Sequence, residues 1–278
     1  MEFDDRFLPL AGEVGLLANV TYFFFLFAAY ALIGSFVFAL STRTSVAPEH
    51  RTSRVLTAMI GLIAGISYTI MSEYFRGALH AVARNPANYH ELMHDTYFAI
   101  GQLRYVDWAF TTPLLLIKMP LMLKIKPHEI KGALWVMLAA DFLMILTGYI
   151  GQQQLASDGT VLAMPHYVWG TISTVFYILI PLTLYRIWQR FRSRATESEE
   201  FAFRLVALTT VTFWGVYPIG YILTAAFPEM DFNWIHLAYS IADVINKAGV
   251  GAVFYLAGAK ALRDRVDIES PEYALRNG

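Results

Sequence analysis

Arg104-Tyr105-Val106-Asp107-Trp108-Ala109-Phe110-Thr111-Thr112-Pro113-Leu114-Leu115-Leu116 is an apolar run that contains two charges, and Lys118 follows two residues later. At about 100° per residue, Arg104, Asp107, Thr111 and Lys118 fall within roughly 60° of one another on a helix. At about 1.5 Å per residue the stripe climbs about 21 Å, most of the apolar thickness of a bilayer. A helix of this kind belongs in lipid with its charges turned towards other helices, because an ionisable group facing lipid costs at least a few kcal/mol.

Composition agrees with that reading. Of 278 residues, 56% are apolar or aromatic and 15% are charged, against about a quarter charged in a typical soluble domain. Mean hydropathy is +0.46. The chain has no Cys, which excludes a disulfide scaffold, a thiolate metal site and a cysteine nucleophile. A net charge of -1 gives no reason to expect a nucleic-acid partner.

A bilayer core needs roughly 20 mainly apolar residues per helix, and seven windows of that kind emerge, at 13–40, 54–74, 96–123, 130–150, 166–188, 203–227 and 233–261. The second and sixth are interrupted by Ser, Thr, Gly and Tyr. The longest connection expected is the polar stretch from Phe75 to Asp95. An opening with Glu2, Asp4 and Asp5 and no small-residue cleavage site does not read as a signal peptide. The expectation is an all-α, multi-pass cell-membrane protein, one seven-helix domain over residues 1–278. No catalytic domain follows Arg265, so an enzyme is not expected.

Fifteen of the 21 Lys and Arg residues fall on one side of these spans: Arg43, Arg51, Arg54, Lys124, Lys126, Lys131, Arg186, Arg190, Arg192, Arg194, Arg204, Lys260, Arg263, Arg265 and Arg276. Arg6, Arg76 and Arg84 fall on the other. Basic loops stay in the cytoplasm, which predicts an extracellular N-terminus and a cytoplasmic C-terminus. The three that remain, Arg104, Lys118 and Lys247, lie inside spans.

Six ionisable groups therefore sit where lipid should be: Arg104, Asp107, Lys118, Asp141, Asp243 and Lys247. On span seven, His236, Asp243 and Lys247 share one face within about 40°, and Asp243 precedes Lys247 by four residues, the favourable order for an ion pair. One reading is a structural salt bridge. The other starts from a desolvated Lys, which can condense with a carbonyl compound to form a Schiff base. A protonated imine inside a bilayer needs a carboxylate partner, and Asp107 and Asp243 both qualify.

The residues resemble microbial (type 1) rhodopsins. Arg104 to Leu116 looks like their third helix, and Asp243-Val244-Ile245-Asn246-Lys247 looks like their seventh. Trp214-Gly215-Val216-Tyr217-Pro218 is similar to their sixth, and Ala140-Asp141 with Met144, Thr147 and Gly148 to their fourth. The resemblance implies all-trans retinal bound to Lys247 as a protonated Schiff base, with Asp107 as counter-ion and proton acceptor. It makes Asp243 the second counter-ion, Arg104 the gate on the extracellular side, and Thr111 a hydrogen-bond partner of Asp107. Trp108, Trp214 and Tyr217 sandwich the polyene, and Tyr105, Thr112, Leu115, Met144, Gly148, Ser173, Thr174 and Pro218 complete the pocket. Thr112 and Asp141 match a pair that hydrogen-bonds between helices three and four. Leu115 stands at a colour-tuning position where Leu goes with green absorption.

Asp107, Thr111 and Lys118 occupy the positions that distinguish transport types, and they match neither chloride nor sodium pumps. The implied function is a light-driven outward proton pump in which light isomerises retinal, the Schiff-base proton passes to Asp107, and reprotonation comes from the cytoplasmic side through Lys118. Classical pumps have Asp or Glu at that place; a smaller bacterial group has Lys. Lys118 is either a proton carrier or a side chain that snorkels to the headgroups, and the second reading favours a photosensor with a slow photocycle. Inward transport is a third alternative that the retained Asp243 disfavours. Residues 61–72 contain no His to pair with the acceptor, and Glu229, Asp231 and His236 are the candidates for assisting proton release. Gly170 aligns with the side window of carotenoid-binding relatives or is a close-packing site. Membrane lipid and protons are the expected partners, with a homo-oligomer as in related proteins.

Overall fold

The computed structural model describes residues 6–269; Glu2, Asp4, Asp5 and Arg276 lie outside the described residues. After a single turn at Ala11–Val14, the long helices are α1 (Leu16–Ser41), α2 (Arg51–Arg84), α3 (Tyr89–Leu121), α4 (Lys131–Gln152) and α5 (Ala163–Phe191). Helix α6 comes in two parts, Glu197–Thr212 and Val216–Ala226. Helix α7 comprises Asn233–Val244, a π-helical segment at Ile245–Gly249, and Val250–Glu269. Six of these, all but α3, are long and apolar enough to cross a membrane. Helix α3 carries more charge, but Arg104, Asp107 and Lys118 are all at most 2% exposed, so these three face protein and the helix completes a seven-helix bundle.

The helices pack in chain order, α1 on α2, α2 on α3, α3 on α4 and α4 on α5, and α7 closes the ring against α1 and α6. Large apolar side chains such as Phe23, Phe110, Phe142 and Leu182 are exposed on the outside. That distribution suits lipid, where an apolar surface costs nothing and every backbone polar group is satisfied within its own helix. The chain is a multi-pass membrane protein.

The stretch from Phe75 to Asp95, expected to be the longest connection, is mostly helix. Helix α2 runs on to Arg84, because Phe75, Leu79 and Val82, spaced four and three apart and all fully buried, continue its apolar stripe beneath the polar residues. It stops at Asn85, where Pro86 disfavours helical backbone in the residue before it. The longer irregular connection is 153–162, which folds back through a bridge between Leu155 and Val161.

Helix α6 breaks at residues 213–215 because Pro218 has no N–H to offer the carbonyl of Trp214. The Trp214 carbonyl instead accepts from Tyr217 N at 3.2 Å, and Phe213 accepts from Val216 N at 3.2 Å.

Gly61 sets the distance between α1 and α2. A Cβ there would lie 2.8 Å from the Leu32 carbonyl oxygen and 2.9 Å from Phe36 N, and backbone cannot swing aside as a side chain does. Gly61→Ala should therefore cost about 1–3 kcal/mol, read as a lower thermal midpoint in detergent. An unchanged midpoint would show that the helices do not approach this closely.

Candidate functional site

Helices α3 and α7 bring their charges together at mid-bundle. Lys247 Nζ donates to Asp107 Oδ2 and lies 3.4 Å from Asp243 Oδ2. Arg104 Nη1 is 3.7 Å from that same Asp243 oxygen. Two cations thus face two carboxylates, all at most 3% exposed, and this balance of opposite charges offsets part of the cost of burying them.

The two carboxylates are held differently. Asp243 accepts from Tyr68 Oη at 2.8 Å and from Tyr217 Oη at 2.5 Å, besides its contacts with Lys247 and Arg104. Asp107 has Lys247 on Oδ2, and its Oδ1 has no partner among the described residues. The Thr111 hydroxyl, expected to serve Asp107, donates to the main-chain carbonyl of Asp107 at 2.9 Å. The spacing of one turn brings the hydroxyl within reach of the carbonyl four residues back, and that is where its proton goes.

Tyr68 of α2, which has no signal in the sequence, belongs to this cluster. Its hydroxyl accepts from Arg104 Nη1 at 2.8 Å and donates to Asp243, linking guanidinium and carboxylate. Arg104 Nη2 also reaches Ser240 Oγ at 3.4 Å, and its guanidinium lies over the rings of Phe25, Tyr68 and Tyr239 at 5.3–5.5 Å.

A cavity of about 460 Å³ opens beside Lys247. Every expected pocket residue lines it: Tyr105, Trp108, Thr112, Leu115, Met144, Gly148, Ser173, Thr174, Trp214, Tyr217 and Pro218, with Lys247 itself. Trp108 and Tyr217 meet edge to face at 4.8 Å. Gly148 leaves room for Tyr105, whose hydroxyl would sit 3.0 Å from a Cβ. Thr112 Oγ1 donates to Asp141 Oδ2 at 2.8 Å, so the α3–α4 pair is formed. The walls are mainly aromatic and aliphatic, with Lys247 as the lining lysine and Arg104, Asp243 and Asn246 among the polar groups, a set that fits a long apolar aldehyde joined to the amine beside a carboxylate.

Gly170 also lines the cavity, and a Cβ there would be 2.5 Å from Tyr221 Cε1. The Tyr221 ring packs against this glycine. That ring also stacks on the buried His166 at 3.8 Å, whose two nitrogens lie within 3.0 Å of the carbonyls of Gly151 and Tyr221. His166, the first residue of span five, ties α5 to α4 and α6 through these partners, which lie too far along the chain to be seen from the sequence.

Lys118 is fully buried, with Nζ 3.0 Å from Thr57 Oγ1 and 4.5 Å from the centre of the Phe254 ring. The side chain turns into the bundle instead of snorkelling to the surface. Of the release candidates, Glu229 is exposed and Asp231 accepts from Tyr89 Oη at 2.9 Å. His236 is buried among Phe25, Phe75 and Tyr97, and neither ring nitrogen has a partner among the described residues.

The family model described as Bacteriorhodopsin-like protein matches residues 18–261. The chain belongs to the bacteriorhodopsin-like family, the microbial rhodopsins. Among relatives in this family, Bacteriorhodopsin-II-like protein of Haloquadratum walsbyi is 31% identical over 225 residues, covering 80% of this chain and 83% of its own. The crystal structure of Exiguobacterium sibiricum rhodopsin superposes with a TM-score of 0.73 at 25% identity, covering 87% of this chain and 97% of that one. Xanthorhodopsin, described as a light-driven ion pump with dual chromophore, shares the fold at TM-score 0.73 and 24% identity, covering 90% and 96%.

Proposed function

We propose that the protein is a retinal-binding, light-driven outward proton pump with its N-terminus outside the cell. The observation that carries this reading is the placement of Lys247 in the cavity wall with Asp107 as its hydrogen-bond partner. Lys118 lies buried on the same helix as Asp107, about 16 Å farther along. Family membership and the description of xanthorhodopsin as a light-driven ion pump support transport; the direction and the ion are inferred from these residues.

Retinal, bound at Lys247, would supply light absorption and a light-driven change of shape. The residues do the rest. The proton on Lys247 Nζ goes to Asp107 Oδ2, the carboxylate oxygen it already touches. Asp243 is the poorer acceptor, since two tyrosine hydroxyls and Arg104 hold its charge in place, and protonating it would break more bonds than protonating Asp107. Arg104, joined to Tyr68 and Ser240, closes the path on the extracellular side. Lys118 returns a proton to Lys247 from the other side as a buried general acid.

Cells carrying the protein and retinal should acidify their medium under green light, and a protonophore should abolish the effect. Light-driven alkalinisation would reverse the direction. A visible chromophore with no pH change would sink the pump and leave a photosensor.

A further inference from the structure

A second chain of polar groups begins at the basic end of the bundle, outside the cavity. Glu199, in the first turn of α6, is fully buried and yet bonded on both sides. Its Oε2 lies 3.0 Å from Nζ of Lys124, a side chain 32% exposed. Its Oε1 lies 2.6 Å from Nε2 of His50, which is 1% exposed. Glu199 thus links a group that meets solvent to an imidazole that does not.

Beyond His50 the same face of α2 continues inward. His50, Ser53 and Thr57 are spaced three and four apart and span about 10 Å, and Thr57 Oγ1 accepts from Lys118 Nζ. Two atoms on this face, His50 Nδ1 and Ser53 Oγ, are buried with no partner among the described residues. Buried polar atoms of this kind ordinarily bond to water. Two charged neighbours flank the pair: Glu49, which has a carboxylate oxygen within 4.8 Å of ligand atoms of both His50 and Glu199 and is paired with Arg265 at 2.7 Å, and Arg54, which bonds to Phe38 O, Thr42 Oγ1 and Gly251 O.

We infer that His50 and Glu199 are the proton-loading station of the pump, taking a proton from the cytoplasm and passing it along Ser53 and Thr57 to Lys118. The inference rests on the outward-pump reading above. After Lys118 gives its proton towards Lys247 it is a neutral amine. The His50 imidazolium then releases one proton along the hydroxyl face to the Lys118 nitrogen. The His50–Glu199 pair recovers one from the cytoplasm, so one proton enters for each that leaves, and no other bond changes. A purely structural pair would only clasp the start of α6 to α2.

The test uses the full chain with retinal in liposomes and follows, after a flash, the return of the proton to Lys247 by recovery of the visible band. His50→Gln and Glu199→Gln should each slow the return at least about tenfold at neutral pH, with absorption maximum and thermal midpoint unchanged, and added imidazole should restore it. Lys118→Ala sets the slow limit. A return at the parent rate in both variants, or a slowed return that imidazole does not restore, overturns the inference in favour of the clasp. Where His50→Gln fails to fold, Glu199→Gln decides. Absence of light-driven acidification by the parent chain refutes the pump itself, whereas a pumping parent with unaffected variants refutes only the loading station.

Discussion

Lys247→Ala abolishes the visible absorption band and light-driven acidification together. Lys247 is the lysine of the cavity lining, and a carbonyl compound needs an amine to form a covalent link. Lys118 offers no substitute, for its Nζ is committed to Thr57 and it does not line the cavity. The variant also leaves Asp107 and Asp243 with Arg104 as the one remaining cation of the cluster. Removing one partner of a buried ion pair typically costs about 3–5 kcal/mol, so the variant should melt earlier as well. Reconstitution with retinal followed by absorption spectroscopy checks the first effect, and a persistent band at the parent wavelength would refute Lys247 as the attachment point.

Asp107→Asn keeps the band and stops transport. The amide has the shape of the carboxyl, and Asp243 remains 3.4 Å from Lys247 to balance its charge, so the chromophore should form, with a shifted maximum because one of two nearby negative charges has gone. An amide cannot hold the transferred proton. Acidification under saturating light should fall at least about a hundredfold, the lower end of what a positioned proton-transfer group contributes. Transport at the parent rate would make Asp243 the acceptor, against its two tyrosine donors.

Much of the site was legible in the chain. Arg104, Asp107, Lys118, Asp243 and Lys247 stand out because charge in an apolar span needs a reason, and helical spacing alone puts them on one stripe of each of two helices. The pocket residues were read by resemblance, in register with Lys247, and all of them line one cavity. What was hidden involves partners far apart in the chain. Tyr68 meets Asp243 across 175 positions and Arg104 across 36, and a lone Tyr in a weak span has no periodic signal. The extension of α2 to Arg84 was masked by polar residues lying over its apolar stripe.

The sequence by itself determined that the chain crosses a membrane as seven helices and which of its charges lie within the spans, since burial cost and helical period act locally and can be read residue by residue. Only the tertiary structure decided that two tyrosine hydroxyls hold Asp243 while Asp107 Oδ1 has no partner among the described residues, that Lys118 points inward to Thr57, that α7 changes to a π-helical segment at Lys247, and that His50 meets Glu199. Each of these depends on how one helix is turned against another, and that is settled by packing across the whole bundle.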